Sequence, residues 1–326
     1  MSMKFIFDEL DSISWNKYSS NIDQFPLFQS SMYLQSIVES SNSIVRYFLI
    51  QNEDKINIGL AGFQIKFFFK VFKIYQLNRG PVFFNNVFLD IDDLEKLVVD
   101  LFEFVSKNRK FFKIYFVSPE LRANSRNKDF LKNKGYYNLK KTFGSSIINL
   151  DSTEDLIMKG FDSKWRNLLR KGIKKNLGMV NILFDDIGRN KFLLDYKLFS
   201  KKTNFPIRDL TFYQKLFCKN LGAHIFIKKS DNEGEGYFYD GAVGIIIDGY
   251  TATYYIGYST NHGRKSCINY YLLWEAIIFS KMKGCKYFDL GGITKATPKG
   301  IKHFKSGLKG EFYTNINNKI KIVILR

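Results

Sequence analysis

Blocks of apolar and polar residues alternate along the chain, and the spacing within each block predicts a strand or a helix. In the first half, apolar runs at residues 44–50, 56–69 and 71–77 are separated by polar turn residues, which predicts consecutive antiparallel strands. Residues 92–105 carry leucine and valine at helical spacing, and residues 111–117 return to a strand-like run. The first half thus predicts a strand meander, a helix and a further strand.

The second half repeats this order with different residues. Its predicted elements are helices at 162–176, 191–201, 209–221 and 266–283 and strands at 179–184, 223–229, 236–247, 250–258 and 286–290. Because meander, helix and strand occur twice, the pattern predicts two similar mixed α/β modules, which we place at residues 1–150 and 151–326.

The charge balance adds a second expectation. The 326 residues carry a formal net charge of +19, and 45% of them are hydrophobic, so each half has enough apolar material for its own core. A positive field of this size attracts phosphate-bearing partners such as RNA, nucleotide sugars and anionic lipid surfaces. A basic, solvated surface encoded by an AT-rich genome accounts for the same charge, and the composition leaves both interpretations open.

Several site classes are excluded by what the sequence lacks. Cys218, Cys267 and Cys285 show neither a disulfide framework nor zinc-site spacing, and no nucleophile motif or Walker loop is present. We therefore predict no metal and no cofactor. The N-terminus lacks the basic and apolar regions of a signal peptide, and no stretch of about 18 residues is free of charge, which predicts a cytoplasmic protein.

The most unusual segment is the basic run at residues 164–175. On a helical wheel its apolar residues form one stripe, and its cations lie off that stripe with no acidic residue to pair with them. A bound polyanion relieves the resulting repulsion, so Arg166, Arg170 and Lys171 are predicted to contact pyrophosphate or RNA phosphate. A basic helix that only faces solvent stays as the alternative.

An ordered series of motifs extends over about half of the chain, residues 161–312. After the basic helix come Thr203-Asn204-Phe205-Pro206-Ile207-Arg208 with Tyr213 beyond, Tyr254-Tyr255-Ile256-Gly257-Tyr258-Ser259, Asn269-Tyr270-Tyr271-Leu272, Tyr287-Phe288-Asp289-Leu290-Gly291-Gly292 and Ile301-Lys302-His303-Phe304-Lys305. In this order they resemble the Fem family of tRNA-dependent peptidyltransferases. In the first half, only Phe28-Gln29-Ser30 and Arg79-Gly80-Pro81 are similar to that family.

The resemblance implies both a fold and an activity. The fold is α/β with α+β character, built of two tandem GNAT-like domains, each a mostly antiparallel mixed sheet flanked by helices. The activity is aminoacyl transfer from aminoacyl-tRNA to an amine of a nucleotide-linked or lipid-linked cell-envelope precursor, either a peptidoglycan-type peptide or an amino sugar. We expect a monomer, and the basic surface is compatible with peripheral contact with an anionic membrane.

The resemblance also implies roles for individual residues. The family places a Phe-Lys pair, here Phe304-Lys305, at the reacting end of the donor, so Lys305 is expected to stabilise the developing oxyanion. Asp289 ends an apolar strand, where it either orients or deprotonates the amine or bonds local N–H groups in a turn. An exposed surface lysine is the alternative for Lys305.

Further substrate contacts are expected from Arg208, Tyr254, Tyr258 and Asn269. At the period of a strand, Tyr254 and Tyr258 share one face and Tyr255 takes the other, so one face is expected to line a cleft. Packing of these tyrosines in the core is the alternative.

Two rival functions stay open. An acyl-CoA-dependent N-acyltransferase of surface polysaccharide biosynthesis is disfavoured, because no Arg or Gln begins an Arg/Gln-x-x-Gly-x-Gly/Ala loop for the coenzyme A pyrophosphate. A non-catalytic basic RNA-binding module is disfavoured by the Asp289 to Gly292 motif and the Phe304-Lys305 pair, neither of which RNA binding requires.

Overall fold

Strands and helices follow one another in two compact units of the computed structural model, which describes residues 3–68, 72–107, 112–140, 142–231, 236–294 and 297–324. The strands are β1 (Phe5–Leu10), β2 (Ser43–Asn52), β3 (Asn57–Phe68), β4 (Phe72–Asn78), β5 (Val82–Phe83), β6 (Phe112–Ser118), β7 (Tyr137–Asn138), β8 (Gly144–Asn149), β9 (Val180–Ile182), β10 (Ala223–Lys229), β11 (Tyr239–Asp248), β12 (Thr251–Ser259), β13 (Tyr287–Asp289), β14 (Glu311–Thr314) and β15 (Lys319–Val323). The helices are α1 (Ser12–Ser19), α2 (Ser31–Ser40), α3 (Ile91–Val105), α4 (Glu154–Gly160), α5 (Ser163–Asn176), α6 (Asp186–Thr203), α7 (Leu210–Cys218), α8 (Asn261–Ser266), α9 (Ile268–Met282) and α10 (Lys299–Ser306).

The first unit comprises Met1–Gly144 and Tyr313–Arg326 and is built on one mixed sheet. Its strand order is β1-β2-β3-β4-β6-β15-β7, with β5 paired to β3. Strands β1 to β4 form an antiparallel meander, and β6 returns parallel to β4 after α3. A parallel neighbour requires such a crossover, because two parallel strands cannot be joined by a tight turn.

Helix α3 forms where the sequence supplies a cap and an apolar stripe. The Asp90 side chain accepts a hydrogen bond from the Asp93 N–H, and acidic residues fill the first turn, where they favour the positive end of the helix. The stripe that includes Leu97 and Leu101 is fully buried against Phe63 of the sheet. The opposite face of the sheet buries a smaller core around Trp15 of α1.

The second unit, Ser145–Phe312, repeats the arrangement with a sheet of order β14-β8-β13-β12-β11-β10-β9. Strands β9 to β12 are an antiparallel meander, and β13 returns parallel to β12 after α8 and α9. The core lies between the sheet and the buried stripes of α5 and α9, with Trp165, Leu169 and Leu272 among its members. None of the helices in the residues described above combines the length and apolar character needed to cross a membrane.

The predicted mixed α/β modules are therefore present, and the repeated order of meander, helix and strand is confirmed. The predicted strand end at Phe69 and the predicted strand starts at Val71 and Phe111 lie outside the described residues. Two segments differ from the expected division at residue 150, and the first of them, residues 145–150, groups with the second unit. Residues 313–326 group with the first unit, because β15 hydrogen-bonds to β6 over five residue pairs.

The returning segment is also held to the first unit by a buried ion pair. The Arg79 guanidinium binds Glu120 through two nitrogens and donates from Nη2 to the Tyr313 hydroxyl at 2.8 Å. The Phe143 ring covers the guanidinium, with its centroid 3.9 Å from the Arg79 Cζ. The Arg-Gly-Pro segment noted in the sequence is thus a structural anchor in this unit.

We expect Arg79→Met to lower the free energy of unfolding by about 3 kcal/mol, because Glu120 would be left without its cation. Arg46→Met is the matched control: Arg46 and Glu9 form a similar two-point pair, but their side chains are 31% and 50% exposed, against 6% and 22% for Arg79 and Glu120. The control substitution should lower the free energy of unfolding by about 1 kcal/mol or less. Urea unfolding of both variants measures the difference, and equal losses would show that burial adds nothing to the Arg79 pair.

Candidate active site

A cleft opens in the second unit where β12 continues beyond its parallel neighbour. Strand β13 pairs with β12 only over Thr251 to Thr253, and within the described residues no strand covers this edge of β12 from Tyr254 to Ser259. The space is bounded by the end of α6, the loop that follows it and the start of α10. A polar backbone edge at the bottom of a concave site can bind a substrate directly.

The cleft has two lobes of similar size that share part of their lining. The lysine lobe, about 510 Å³, contains Lys305, Gly292 and Thr294. The aromatic lobe, about 600 Å³, contains Tyr270 and Phe304. The residues common to both lobes are Phe199, Thr203, Phe205, Tyr254, Gly257, Pro298 and Ile301.

Lys305 lies on α10 with its ammonium group in the lysine lobe. The residue is 8% exposed, and its Nζ donates to the Gly292 carbonyl oxygen at 3.2 Å and lies 5.3 Å from the centre of the Tyr254 ring. Burial lowers the pKa of Lys305 to about 8, although the negative charge of Asp289 acts in the opposite direction. Lys305 is therefore a buried cation at a cleft, not the exposed surface lysine of the alternative interpretation.

Asp289 is fixed at the turn that ends β13. Its Oδ1 accepts hydrogen bonds from the Ser145 hydroxyl and from the Gly291 N–H, the latter at 2.7 Å. These are the contacts of the predicted turn role, since a carboxylate that bonds the N–H two residues ahead closes a local turn. The role of proton acceptor stays a prediction.

Phe304 places its backbone and ring between two other aromatic residues. Its carbonyl oxygen accepts from the Trp165 Nε1 at 3.1 Å, and its ring centroid lies 5.1 Å from that of Tyr270. These contacts join α10 to α5 and α9 and fix the helix that carries Lys305. Phe304 also lines the aromatic lobe, and its contact with a substrate stays a prediction.

The expected common face of Tyr254 and Tyr258 is wrong. Tyr254 pairs with Ile245 and packs on the core beneath α9, whereas Tyr258 pairs with Ala242 and contacts α6 on the other side. The register shifts opposite Tyr255, which leaves one extra residue in β12. Such a bulge breaks the two-residue period of a strand, so residues on either side of it change faces.

Asn269 and Tyr258 both line the aromatic lobe, and they differ in the hydrogen bonds of their side chains. The Asn269 Oδ1 is buried, has no hydrogen-bond partner in the described residues, and would lie 3.0 Å from a Cβ atom placed on Gly241 of β11. The Tyr258 hydroxyl donates to the Asp195 carboxylate at 2.6 Å and is held in place. A ligand contact of either residue stays a prediction.

The predicted phosphate-binding cations on α5 divide into two groups. Arg166 donates from Nη1 to the carbonyl oxygens of Lys159 at 2.9 Å and Phe161 at 2.5 Å, so it caps the end of α4. Arg170 and Lys171 are exposed, and Leu168 on the same helix lines the aromatic lobe. Of the three predicted cations, Arg170 and Lys171 are thus the ones that stay accessible to a polyanion.

Arg208 does not line either lobe of the cleft. Its guanidinium lies 4.9 Å from the centre of the Phe212 ring, and its backbone N–H donates to the Tyr213 hydroxyl at 3.3 Å. Both partners are buried on α7, so the observed contacts of Arg208 orient the segment between α6 and α7.

Two buried carboxylates that were not predicted from the sequence support this region. Asp195 accepts from the N–H groups of Phe238 and Tyr239 as well as from Tyr258, and burial raises the pKa of its carboxyl. The sequence feature that could have revealed Asp195 is an acidic residue within the apolar stripe of α6.

The second missed carboxylate, Asp240, is 1% exposed and lies beneath α8. It accepts from the Lys228 Nζ at 2.5 Å and the Ser230 hydroxyl at 2.9 Å, and the His262 Nδ1 lies 2.9 Å from it. These partners are distant in sequence, so no local pattern predicts the cluster. Among the described residues, no group of His, Cys, Asp and Glu has the arrangement of a metal site.

Comparison with known proteins finds the same fold in several solved structures. No protein-family model matches the chain, and no curated protein matches it. The crystal structure of FemX aligns with a TM-score of 0.78 at 14% identity over 98% of this chain and 97% of that one. A tandem GNAT protein from the clavulanic acid biosynthesis pathway aligns with 0.57 at 8% identity over 98% of both chains, and L-PGS from Bacillus licheniformis with 0.50 at 12% identity over 90% and 91%.

At these identities the similarity shows the fold. The chain has the same fold as FemX and as the tandem GNAT protein, and the resemblance predicted from the motif series is confirmed at the level of the fold. The similarity extends over both units, including the first, where only two short sequence motifs resembled the family.

The buried ammonium of Lys305 gives a testable pH dependence of stability. Its pKa is about 8 in the folded protein and has a reference value of 10.5, so the unfolded chain binds more protons between these limits. Stability therefore rises with pH through this window. We expect the wild type to gain about 3 kcal/mol over Lys305→Met between about pH 7 and about pH 10.

Urea unfolding of the two proteins at both pH values measures this gain. Lys283→Met is the matched control, because Lys283 is exposed and should show no relative gain. Parallel stability curves for the wild type and Lys305→Met would contradict the assignment of Lys305 as a buried, partly destabilised cation.

Proposed function

We propose that the second unit transfers an aminoacyl group from aminoacyl-tRNA to an amine. The observation that carries this proposal is the buried ammonium of Lys305 at the bottom of an open cleft. In the reaction, the amine nitrogen attacks the carbonyl carbon of the ester, the carbonyl oxygen becomes negative, and the ribose oxygen of the tRNA departs as the C–O bond breaks. A fixed cation in a low-dielectric site stabilises that negative oxygen more strongly than water does.

Asp289 supports this role through its charge and its position. Its carboxylate opposes the loss of the Lys305 proton, and it fixes the turn whose Gly292 carbonyl accepts from the Lys305 Nζ. We propose that Asp289 keeps the ammonium charged and oriented. It is also our candidate to take the proton that the attacking amine must lose.

An ester donor fits the cleft better than coenzyme A. The segment that follows β12 lacks the glycine-rich loop with which acyl-CoA-dependent acyltransferases hold the pyrophosphate. Two of its backbone N–H groups form hydrogen bonds within α8: Gly263 donates to the Thr260 hydroxyl at 3.0 Å, and Arg264 donates to the Thr260 carbonyl at 3.0 Å. Two N–H groups at this helix start are thus already used and do not bind a pyrophosphate. An acyl-CoA donor is therefore the second candidate.

The donor's RNA is proposed to contact the exposed cations of α5. Arg170 and Lys171 lie on a helix with six cations and no acid, and that helix borders the aromatic lobe through Leu168. The aromatic lobe, lined by Asn269, Tyr270 and Phe304, is proposed to hold the aminoacyl end. A non-catalytic RNA-binding module would have no use for a buried lysine beside this lobe.

The acceptor is proposed to be an amine of a cell-envelope precursor. FemX and L-PGS share the fold, and so does the C-terminal domain of a putative lysylphosphatidylglycerol synthetase from Agrobacterium fabrum. The candidates are thus a nucleotide-linked or lipid-linked sugar-peptide. A protein that works on such precursors from charged tRNA is expected in the cytoplasm.

Lys305→Met should lower turnover about a hundredfold or more with little change in donor affinity, because the interaction forms chiefly in the transition state. Steady-state kinetics with aminoacyl-tRNA and an extracted precursor amine measure both quantities. The control Lys283→Met removes an exposed lysine outside the cleft and should leave them unchanged. Turnover within a few-fold of wild type would show that Lys305 does not take part in the reaction.

Arg170→Gln with Lys171→Gln should weaken tRNA binding and reduce the slope of log affinity against log salt by about 1 to 2, since fewer counterions are released. Filter binding at several salt concentrations measures the slope. The double variant Lys229→Gln with Lys283→Gln removes two other exposed cations of the same unit as a control. Equal slopes for all three proteins would mean that α5 is a solvated face.

A further inference from the structure

Three phenylalanine side chains form one row across the end of the sheet in the first unit. Phe68, Phe72 and Phe112 are direct partners in the register of β3, β4 and β6. Residues paired in this way point to the same face. The three are 45%, 42% and 36% exposed, and the rings of Phe72 and Phe112 stack with centroids 5.3 Å apart. A contiguous apolar surface thus faces solvent at this end.

The opposite face of the same strands also carries apolar and basic groups. A groove of about 340 Å³ opens where the sheet extends past the end of α3, and its lining includes Ile44, Phe67 and Lys73. The Lys73 Nζ lies 5.2 Å from the centre of the Phe67 ring, and the Lys107 Nζ lies 4.4 Å from that of Phe104. Aromatic and cationic side chains therefore lie together on this face.

The strands at this end carry basic residues and no acids. Strands β3, β4 and β6 contain no acidic residue, and they contribute Lys66, Lys73 and the buried Lys113, with Lys107 beside them. The neighbouring elements carry the acids: Asp8 and Glu9 of β1, of which Glu9 pairs with Arg46 at 2.6 Å, Glu39 of α2, and Asp92, Asp93, Glu95, Asp100 and Glu103 of α3.

We infer that this end of the first unit, the aromatic end defined by Ile44, Phe67, Phe68, Phe72 and Phe112, binds the surface of an anionic lipid bilayer. Phenylalanine rings on both faces of a sheet tip suit insertion between lipid headgroups, and lysine side chains beside them reach the phosphates. Phe72 and Phe112 stack on each other, which covers one face of each ring and leaves fewer ring faces for nucleobases, so the arrangement suits lipid better than RNA. The inference does not depend on the reaction proposed for the second unit.

Vesicle flotation tests the inference directly. Wild-type protein should float with vesicles of phosphatidylcholine and phosphatidylglycerol and much less with phosphatidylcholine alone. Phe68→Thr with Phe72→Thr should weaken binding to the mixed vesicles by about tenfold or more, since two rings lose their burial in lipid. The control Phe88→Thr with Phe184→Thr removes two rings that are 92% and 77% exposed elsewhere and should bind as the wild type does.

The positive charge and the insertion are tested separately. Lys73→Gln with Lys107→Gln should reduce binding to the mixed vesicles by about twenty-five-fold, because each lysine contributes about fivefold at an anionic surface. In a Phe68→Trp variant, tryptophan fluorescence should change on binding and be quenched by brominated acyl chains, whereas Phe88→Trp should show neither effect. Circular dichroism of every variant checks that it is folded.

The inference is overturned if wild-type protein does not float with anionic vesicles, or if the Phe68/Phe72 variant floats as well as its control. It is also overturned if that variant loses binding to RNA and keeps binding to vesicles. Transfer activity with soluble donor and acceptor should be unchanged in the Phe68/Phe72 variant, so loss of membrane binding and failure of the proposed reaction give different results.

Discussion

The cleft depends on one close backbone approach, between Gly291 and the carbonyl oxygen of Tyr254. A Cβ atom at Gly291 would lie 2.2 Å from that oxygen, and the residue has a φ of +69°, so only glycine fits. This turn ends β13 while β12 continues, and the separation of the two strands creates both lobes. It also carries the Gly292 carbonyl to the Lys305 Nζ, so the position of the buried cation follows from the same glycine.

The buried lysine carries a cost in stability that the fold must offset elsewhere. An ammonium group removed from water loses hydration, which is why its pKa falls to about 8, and a single hydrogen bond to a carbonyl does not replace the lost water. The carboxylate of Asp289 recovers part of the loss, and its own position is fixed by Ser145 and by the Gly291 N–H. A charged group kept in this way, beside an open cleft, is typical of sites where function opposes stability.

The sequence predicts those parts of the fold that have a local signal. Amphipathic α3 and α5 and the meander strands were predicted because burial of one face leaves a period in the chain. The bulge at Tyr255 leaves no such trace, so the faces of Tyr254 and Tyr258 were assigned wrongly. Pairing of β15 with β6 joins residues about 200 positions apart and depends on tertiary structure, which a local pattern does not contain.

The cleft, too, depends on strand pairing that a local sequence pattern does not contain, as a comparison of the two units shows. In the first unit the parallel pair β4 and β6 is in register over seven residues, from Phe72 with Phe112 to Asn78 with Ser118. In the second unit the equivalent pair, β12 and β13, is in register over three. A full ladder satisfies the backbone groups of both strands, whereas the short one leaves the remaining edge of β12 exposed to a ligand. Two modules with one order of elements therefore differ in where they can bind: the second at its separated strands, and the first at the exposed end of its sheet.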